Sequence, residues 1–169
     1  MLRAKFRYET KTFKWVTLLL LSLTVLGGAM FWYALSEEET YMVLPFVGFM
    51  ATIAFLFGIT PWFSAHEVHD TYLVVRQGWY YRNRIDLADI LAVNHVMHGP
   101  WAYGVHFIDG RTVYANGRTD HLILLELDQV RHRDGKRRRM TRVLFDTVDN
   151  QGFLKAMGKS YQVELEGLD

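Results

Sequence analysis

WVTLLLLSLTVLGGAMFWYAL (residues 15–35) and YMVLPFVGFMATIAFLFGITPWF (residues 41–63) are two uncharged, mostly apolar runs, parted only by Ser36-Glu37-Glu38-Glu39-Thr40. A helix needs about 20 residues to cross the ~30 Å hydrocarbon core of a bilayer, and each run supplies that length. A Lys, Arg or Asp at mid-span costs roughly 2.5–3.5 kcal/mol on insertion scales, and neither run holds one. The reading is a helical hairpin in a membrane: transmembrane helix 1 over 15–35, a short acidic external loop over 36–40 and transmembrane helix 2 over 41–63. A cleaved signal would end its short apolar core in small residues. Here the first run continues into Phe31-Trp32-Tyr33, which suits an interfacial aromatic belt better.

Orientation follows from charge. Arg3, Lys5, Arg7, Lys11 and Lys14 precede the first run against Glu9 alone, whereas the loop holds three glutamates and no base. Basic flanks stay on the cytoplasmic side. Residues 1–14 are therefore expected as a basic cytoplasmic N-terminus, and two crossings return residues 65–169 to the cytoplasm. The expected location is the cell (inner) membrane, with both termini cytoplasmic. No ionisable group lies at membrane depth, which argues against proton relays, ion pathways and voltage sensing by this chain alone. Gly27, Gly28, Gly48 and Gly58 would allow close helix contacts, but glycine is common in membrane helices and that plainer reading is preferred.

The chain has 169 residues and no cysteine, which excludes disulfides, thiolate metal sites and cysteine nucleophiles. After Pro61 the pattern shifts to short alternating runs with turn residues between them. Thr71–Arg76 reads as a strand, Gln77-Gly78 as a turn and Trp79–Arg82 as the hairpin partner. Ile85–Val96 follows. Gly104–Ile108 and Thr112–Ala115 flank Asp109-Gly110, a strong hairpin signal. Leu122–Val130 and Thr141–Val148 flank a polar segment, and Asn150 is placed as the cap of a helix bearing Phe153, Leu154, Met157 and Tyr161 on one face, with Gly158 near its end. Roughly six or seven strands in consecutive hairpins, closed by a C-terminal helix, imply a bent antiparallel sheet or partly open β-barrel.

Asp70-Thr71-Tyr72-Leu73-Val74-Val75-Arg76-Gln77-Gly78-Trp79, followed by Arg84-Ile85-Asp86-Leu87-Ala88-Asp89-Ile90, resembles the opening of prokaryotic PH-like membrane proteins. Val143–Phe145 and Asp149–Met157 are similar to the end of that domain. The resemblance covers residues 66–160 and implies an α+β membrane protein: a two-helix hairpin, then a PH-like antiparallel barrel or bent sheet with a C-terminal helix. It also implies a scaffolding or assembly role, and no catalytic residues are carried over from the family. The chain departs from the family pattern in its long basic turn at 131–139.

That turn is the main candidate site. Arg131, Arg133, Lys136, Arg137, Arg138 and Arg139 place six bases within nine residues, with Arg142 beyond, in a domain otherwise balanced in charge. Near an anionic leaflet each base contributes about 1 kcal/mol. Lipid headgroups, an acidic face on a partner protein, or a solvated tip without a role all remain open. Trp101 and Tyr103, beside His98-Gly99-Pro100, are expected in a loop that serves either as a contact hot spot or as a lid on the core. No nucleic-acid motif accompanies the bases.

Seven histidines raise a metal site as the rival reading. His66-Glu67-Val68-His69 lacks the spacing of the zinc-protease motif by one residue. His95 and His98 stand three apart where strand or loop is expected. These four are weak metal candidates, and no cofactor is expected. No phosphate-binding glycine loop or nucleophile elbow is present. The reading is a non-catalytic, membrane-anchored binding or scaffold protein, an accessory or assembly subunit whose partners are membrane lipids and other membrane-protein subunits, or itself. The alternative is a histidine-based metal- or cofactor-binding membrane enzyme subunit.

Overall fold

The computed structural model describes residues 1–34, 41, 43–99, 103–108, 111–128 and 140–158. The chain divides into a β unit, Met1–Glu9 with Ser64–Asp169, and a helical unit, Thr10–Phe63. It is α+β: two apolar helices are followed by sheets that are antiparallel but for one strand pair, and then by a C-terminal helix.

The β unit begins in the segment expected to be a basic tail. Leu2–Phe6 forms β1, paired antiparallel with β2 (His66–His69) in the register Ala4↔Val68, Lys5↔Glu67 and Phe6↔His66. Leu2, Ala4 and Phe6 alternate with Arg3 and Lys5, the period of a strand with one wet face. Lys5 Nζ lies 3.5 Å from Glu67, and Arg3 Nε donates to Asp70 at 2.8 Å. β3 (Tyr72–Gln77) and β4 (Tyr81–Asp86) complete the sheet, in the order β1-β2-β3-β4. The β3–β4 hairpin is six pairs long, from Tyr72↔Asp86 to Gln77↔Tyr81. Trp79, expected on the second strand, sits in the turn instead, where Gly78 takes φ 57°. Residues 85–96, expected as one segment, are broken by a 3-10 turn at Leu87–Asp89.

The second sheet holds β5 (Ile90–His98), β6 (Gly104–Ile108), β7 (Thr112–Asn116), β8 (Asp120–Leu127) and β9 (Arg142–Phe145), in the order β5-β8-β9-β7-β6. Consecutive hairpins do not describe it. β9 lies between β8 and β7, antiparallel to the first and parallel to the second. A strand antiparallel to β8 has to run along β7 once it is inserted between them. The described residues thus form two sheets and no closed barrel. Leu73, Val75 and Ile85 of the first sheet share one core with Val93, Val113, Ile123, Leu125, Val143 and Phe145 of the second.

Helix α3, from Asn150 to Met157, seals that core with Phe153, Leu154 and Met157. Its cap is Asp149, whose carboxylate accepts the Gly152 N–H at 2.8 Å. Asn150 is the first helical residue, and its side chain is engaged elsewhere. Gly158 ends the helix in the left-handed region at φ 66°. Tyr161 lies outside the described residues.

In the helical unit α1 spans Lys11–Ala34. α2 spans Val43–Ile53 and continues through a π-helical turn at Ala54–Ile59 and a 3-10 turn at Thr60–Phe63. Lys11–Tyr33 and Val43–Phe63 are each long and apolar enough to cross a membrane. Three glycines have packing reasons that the plainer sequence reading did not grant them. A Cβ on Gly27 would lie 3.1 Å from Phe46, one on Gly28 3.0 Å from Val47, and one on Gly58 against the Thr17 hydroxyl and 3.1 Å from its Cα. Gly48 meets nothing within 4 Å. Phe31 and Phe46 pack at 4.9 Å between ring centroids. Thr17 and Thr24 return their hydroxyls to the carbonyls of Phe13 and Leu20, both at 2.7 Å, so these buried polar groups are satisfied within their own helix.

Candidate functional site

The candidate residues fall at several places on the β unit. Arg131, Arg133, Lys136, Arg137, Arg138, Arg139 and Trp101 lie outside the described residues. Arg142 opens β9 and faces Glu126 across the β8–β9 ladder, with Nε 3.9 Å from the carboxylate. Tyr103 is exposed just before β6, where its carbonyl accepts from His106 Nε2 at 2.6 Å. A groove of 410 Å³ runs beside Arg142, lined by Leu91, Arg111, Thr112, Glu126, Leu127 and Thr141.

Arg111 is the residue that sequence reasoning missed. Its carbonyl accepts the N–H groups of Thr141 and Arg142, at 2.9 and 3.2 Å, which holds Arg111 beside the start of β9. The two strands run parallel in the register Thr112↔Arg142, so their first residues meet at one end of the sheet. Two guanidinium groups therefore share a groove with one carboxylate, Glu126. The chain between Asp128 and Met140, which carries the six-base run, leaves and rejoins the sheet at this same end. An anionic group is what such a groove attracts.

The histidines do not assemble. His66 and His69 are three apart on β2 and therefore point to opposite faces. His66 is 0% exposed. Its Nε2 donates to the Asp146 carbonyl at 3.0 Å, which leaves Nδ1 to accept the Arg76 N–H at 3.2 Å. Both ring nitrogens are thereby used and the neutral tautomer is fixed. Burial pushes its pKa down to about 4, against a smaller upward pull from the Asp146 carbonyl. His69 stacks on Tyr72 at 4.2 Å and lies 3.4 Å from Glu67. His95 stacks on His121, with facing nitrogens 3.4 Å apart. Burial first, then His121 and Arg118, holds His95 below the usual range. His98, three residues along β5, belongs to the other face of that strand. Among the described residues no three potential ligand side chains converge.

A second polar site lies where the chain leaves the β unit for the helices. Asp146, just past the end of β9, accepts the Glu9 N–H on one oxygen at 2.7 Å and the Gly117 N–H on the other at 2.6 Å. Burial raises its pKa to about 6, against the opposing pull of those two N–H groups. The Tyr8 hydroxyl accepts the Gly78 N–H at 3.3 Å and lies 3.2 Å from the Ser64 hydroxyl. Burial pushes this phenol up to about 12, so it stays protonated. The Val148 N–H donates to the Arg7 carbonyl at 2.8 Å. The exit at Glu9 is thus tied to the end of the second sheet, and Ser64 is tied to Tyr8 beside it. Asp146 and Arg142 are four residues of extended chain apart, about 13 Å at ~3.3 Å per residue. The junction and the basic groove occupy opposite ends of β9.

Among protein-family models, curated proteins and solved structures, none matches the chain.

Proposed function

We propose that this protein is a membrane-anchored binding module: a two-helix hairpin fixes the β unit at a membrane, and the basic end of the second sheet receives an acidic surface of a partner subunit. The observation that carries the anchor is the insertion of the apolar hairpin between β1 and β2, two neighbouring strands of one sheet. Strands before and after the hairpin pair with each other, so both its ends emerge on one side, as an even number of crossings requires. Loss of α1 as a signal would also remove β1 and Tyr8. Trp15, Leu18, Val25, Leu26 and Leu44 are all more than half exposed on the helical unit, a surface suited to lipid or to other membrane helices. By the charge asymmetry, the β unit faces the cytoplasm.

For the occupant of the basic end, position favours protein over the lipid of the same membrane. The groove and the exits lie at opposite ends of β9, about 13 Å apart. The PH-like assignment rests on the resemblance of residues 70–90 and is supported by two sheets closed over one core by a C-terminal helix. Purification in gentle detergent tests the reading. Wild type should elute in a larger assembly that high salt loosens, and an Arg111→Glu/Arg142→Glu double variant should elute without the partner while keeping its β-sheet circular dichroism. A wild-type chain that elutes alone, or a double variant that keeps its partner, overturns the reading.

A further inference from the structure

Lys5↔Glu67, Glu67↔Val74 and Val74↔Arg84 form one cross-strand row of the first sheet. Two residues further along the β3–β4 hairpin, Arg76 stands directly opposite Arg82. Side chains two apart on a strand share a face, so one face carries Lys5, Glu67, Arg76, Arg82, Arg84 and Asp86. Most of its charges are matched. Lys5 Nζ lies 3.5 Å from Glu67, and Arg84 Nε lies 3.7 Å from Asp86. The Arg84 guanidinium also covers the Tyr72 ring at 3.9 Å, and His69 stacks on that ring at 4.2 Å. On β1, Arg3 is held by Asp70 at 2.8 Å.

Arg76 and Arg82 are the exception. Both are exposed, and among the described residues neither has a carboxylate partner. Like charges directly opposite in an antiparallel pair destabilise it, their Cβ atoms being only about 4.5–5.5 Å apart. The hairpin is paired over its whole length, from Tyr72↔Asp86 to Gln77↔Tyr81, so its strands do not part to relieve the repulsion. An anion between the two guanidinium groups does relieve it.

The donors select the anion. Arg76 gives Nε to the Gly78 carbonyl at 3.4 Å, which steadies the group and leaves its two terminal nitrogens as a fork. Arg82 keeps all its donors. Each fork takes two oxygens in parallel. A carboxylate, with two oxygens and one charge, serves one fork. A phosphate monoester presents three terminal oxygens and nearly two charges, a match for two forks and two cations. Between the arginines, in the turn, Trp79 is 58% exposed and offers a ring on which a ring of the ligand can stack.

We propose that Arg76 and Arg82 clamp a dianionic phosphate group, that of inorganic phosphate or of a small phosphate monoester, on the outward face of the first sheet. The clamp is separate from the Arg111/Arg142 groove of the second sheet and does not depend on the reading given to that groove.

Calorimetric titration of the full-length protein in neutral detergent, with inorganic phosphate and with phenyl phosphate, tests the clamp. Wild type should bind saturably in the millimolar range. Arg76→Gln and Arg82→Gln should each weaken binding about tenfold or more, through loss of one charge-assisted pair. Arg3→Gln removes the same charge from a side chain already engaged, and should bind as wild type does. A preference for phenyl phosphate that Trp79→Leu removes assigns the site to an ester, and equal binding assigns it to free phosphate; either result keeps the clamp. No saturable binding by wild type, binding unchanged in both arginine variants, or an equal loss in Arg3→Gln overturns it. Thermal melting gives a second readout. Without phosphate Arg82→Gln should melt no lower than wild type, and phosphate should raise the melting temperature of wild type alone. A variant that melts lower without phosphate makes Arg82 a support of the fold and overturns the repulsion from which the clamp is argued.

Discussion

His66 and Asp146 meet in the junction through a backbone carbonyl, yet they respond to acid in opposite senses. The His66 pKa is lowered to about 4 from 6.5, so its contribution to stability is complete above pH 6.5 and is lost as pH falls toward 4. The Asp146 pKa is raised to about 6 from 3.8, so its contribution is complete below pH 3.8 and is lost as pH rises through 6. Between pH 4 and 6 the two slopes oppose, and wild-type unfolding should be nearly flat in pH over that window. Asp146→Asn cannot accept both the Glu9 and Gly117 N–H groups and should cost about 1–3 kcal/mol at neutral pH. It should also uncover the His66 slope, a further loss on the order of 3 kcal/mol between pH 6.5 and 4, read by chemical denaturation at stepped pH. A flat profile in the variant refutes this assignment. None of this was legible in the sequence. His66 was visible only as a weak ligand next to Glu67, and its true partners lie on β3 and after β9.

Elements were legible where their pattern was local. The two apolar helices, the pairing of β6 with β7 and the apolar face of α3 are each decided by residues close in sequence; Asp109-Gly110 lies outside the described residues. β1 and β2 were missed because a five-residue alternation of bases and apolar groups reads equally as the basic flank of a membrane helix. Only the distant β2 makes it a strand. Phe6 tests that point, since it packs edge-on against Phe153 at 5.3 Å. Phe6→Ala should destabilise the fold by about 2 kcal/mol in thermal or denaturant melts, less than the 3–5 kcal/mol of a fully buried Phe. A free tail would show no change. In the helical unit, Gly58→Ala places a methyl against the Thr17 hydroxyl and 3.1 Å from the Thr17 Cα. It should weaken helix pairing by about 1–3 kcal/mol, whereas Gly48→Ala should be silent. Resistance of the full chain to unfolding in mixed micelles distinguishes the two. Equal behaviour removes the packing role given to Gly58.

At the scale of the whole molecule, the parallel β7–β9 pair matters most, because it brings Arg111 to Arg142 and puts the basic groove at one end of β9 and the hairpin exits at the other. Sequence shows the bases but not their end of the sheet, since that depends on strand order rather than on composition. The module we propose is anchored in a membrane by its hairpin and carries the basic groove on its second sheet. Its topology is open to impermeant maleimide labelling of single-cysteine variants in intact and permeabilised cells, with Glu38→Cys between the helices and Arg3→Cys and Arg84→Cys on the first sheet. Position 38 should react from outside in intact cells, and positions 3 and 84 only after permeabilisation. Labelling of 3 or 84 in intact cells, or extraction of the protein by alkaline carbonate, defeats the anchored, inward-facing arrangement.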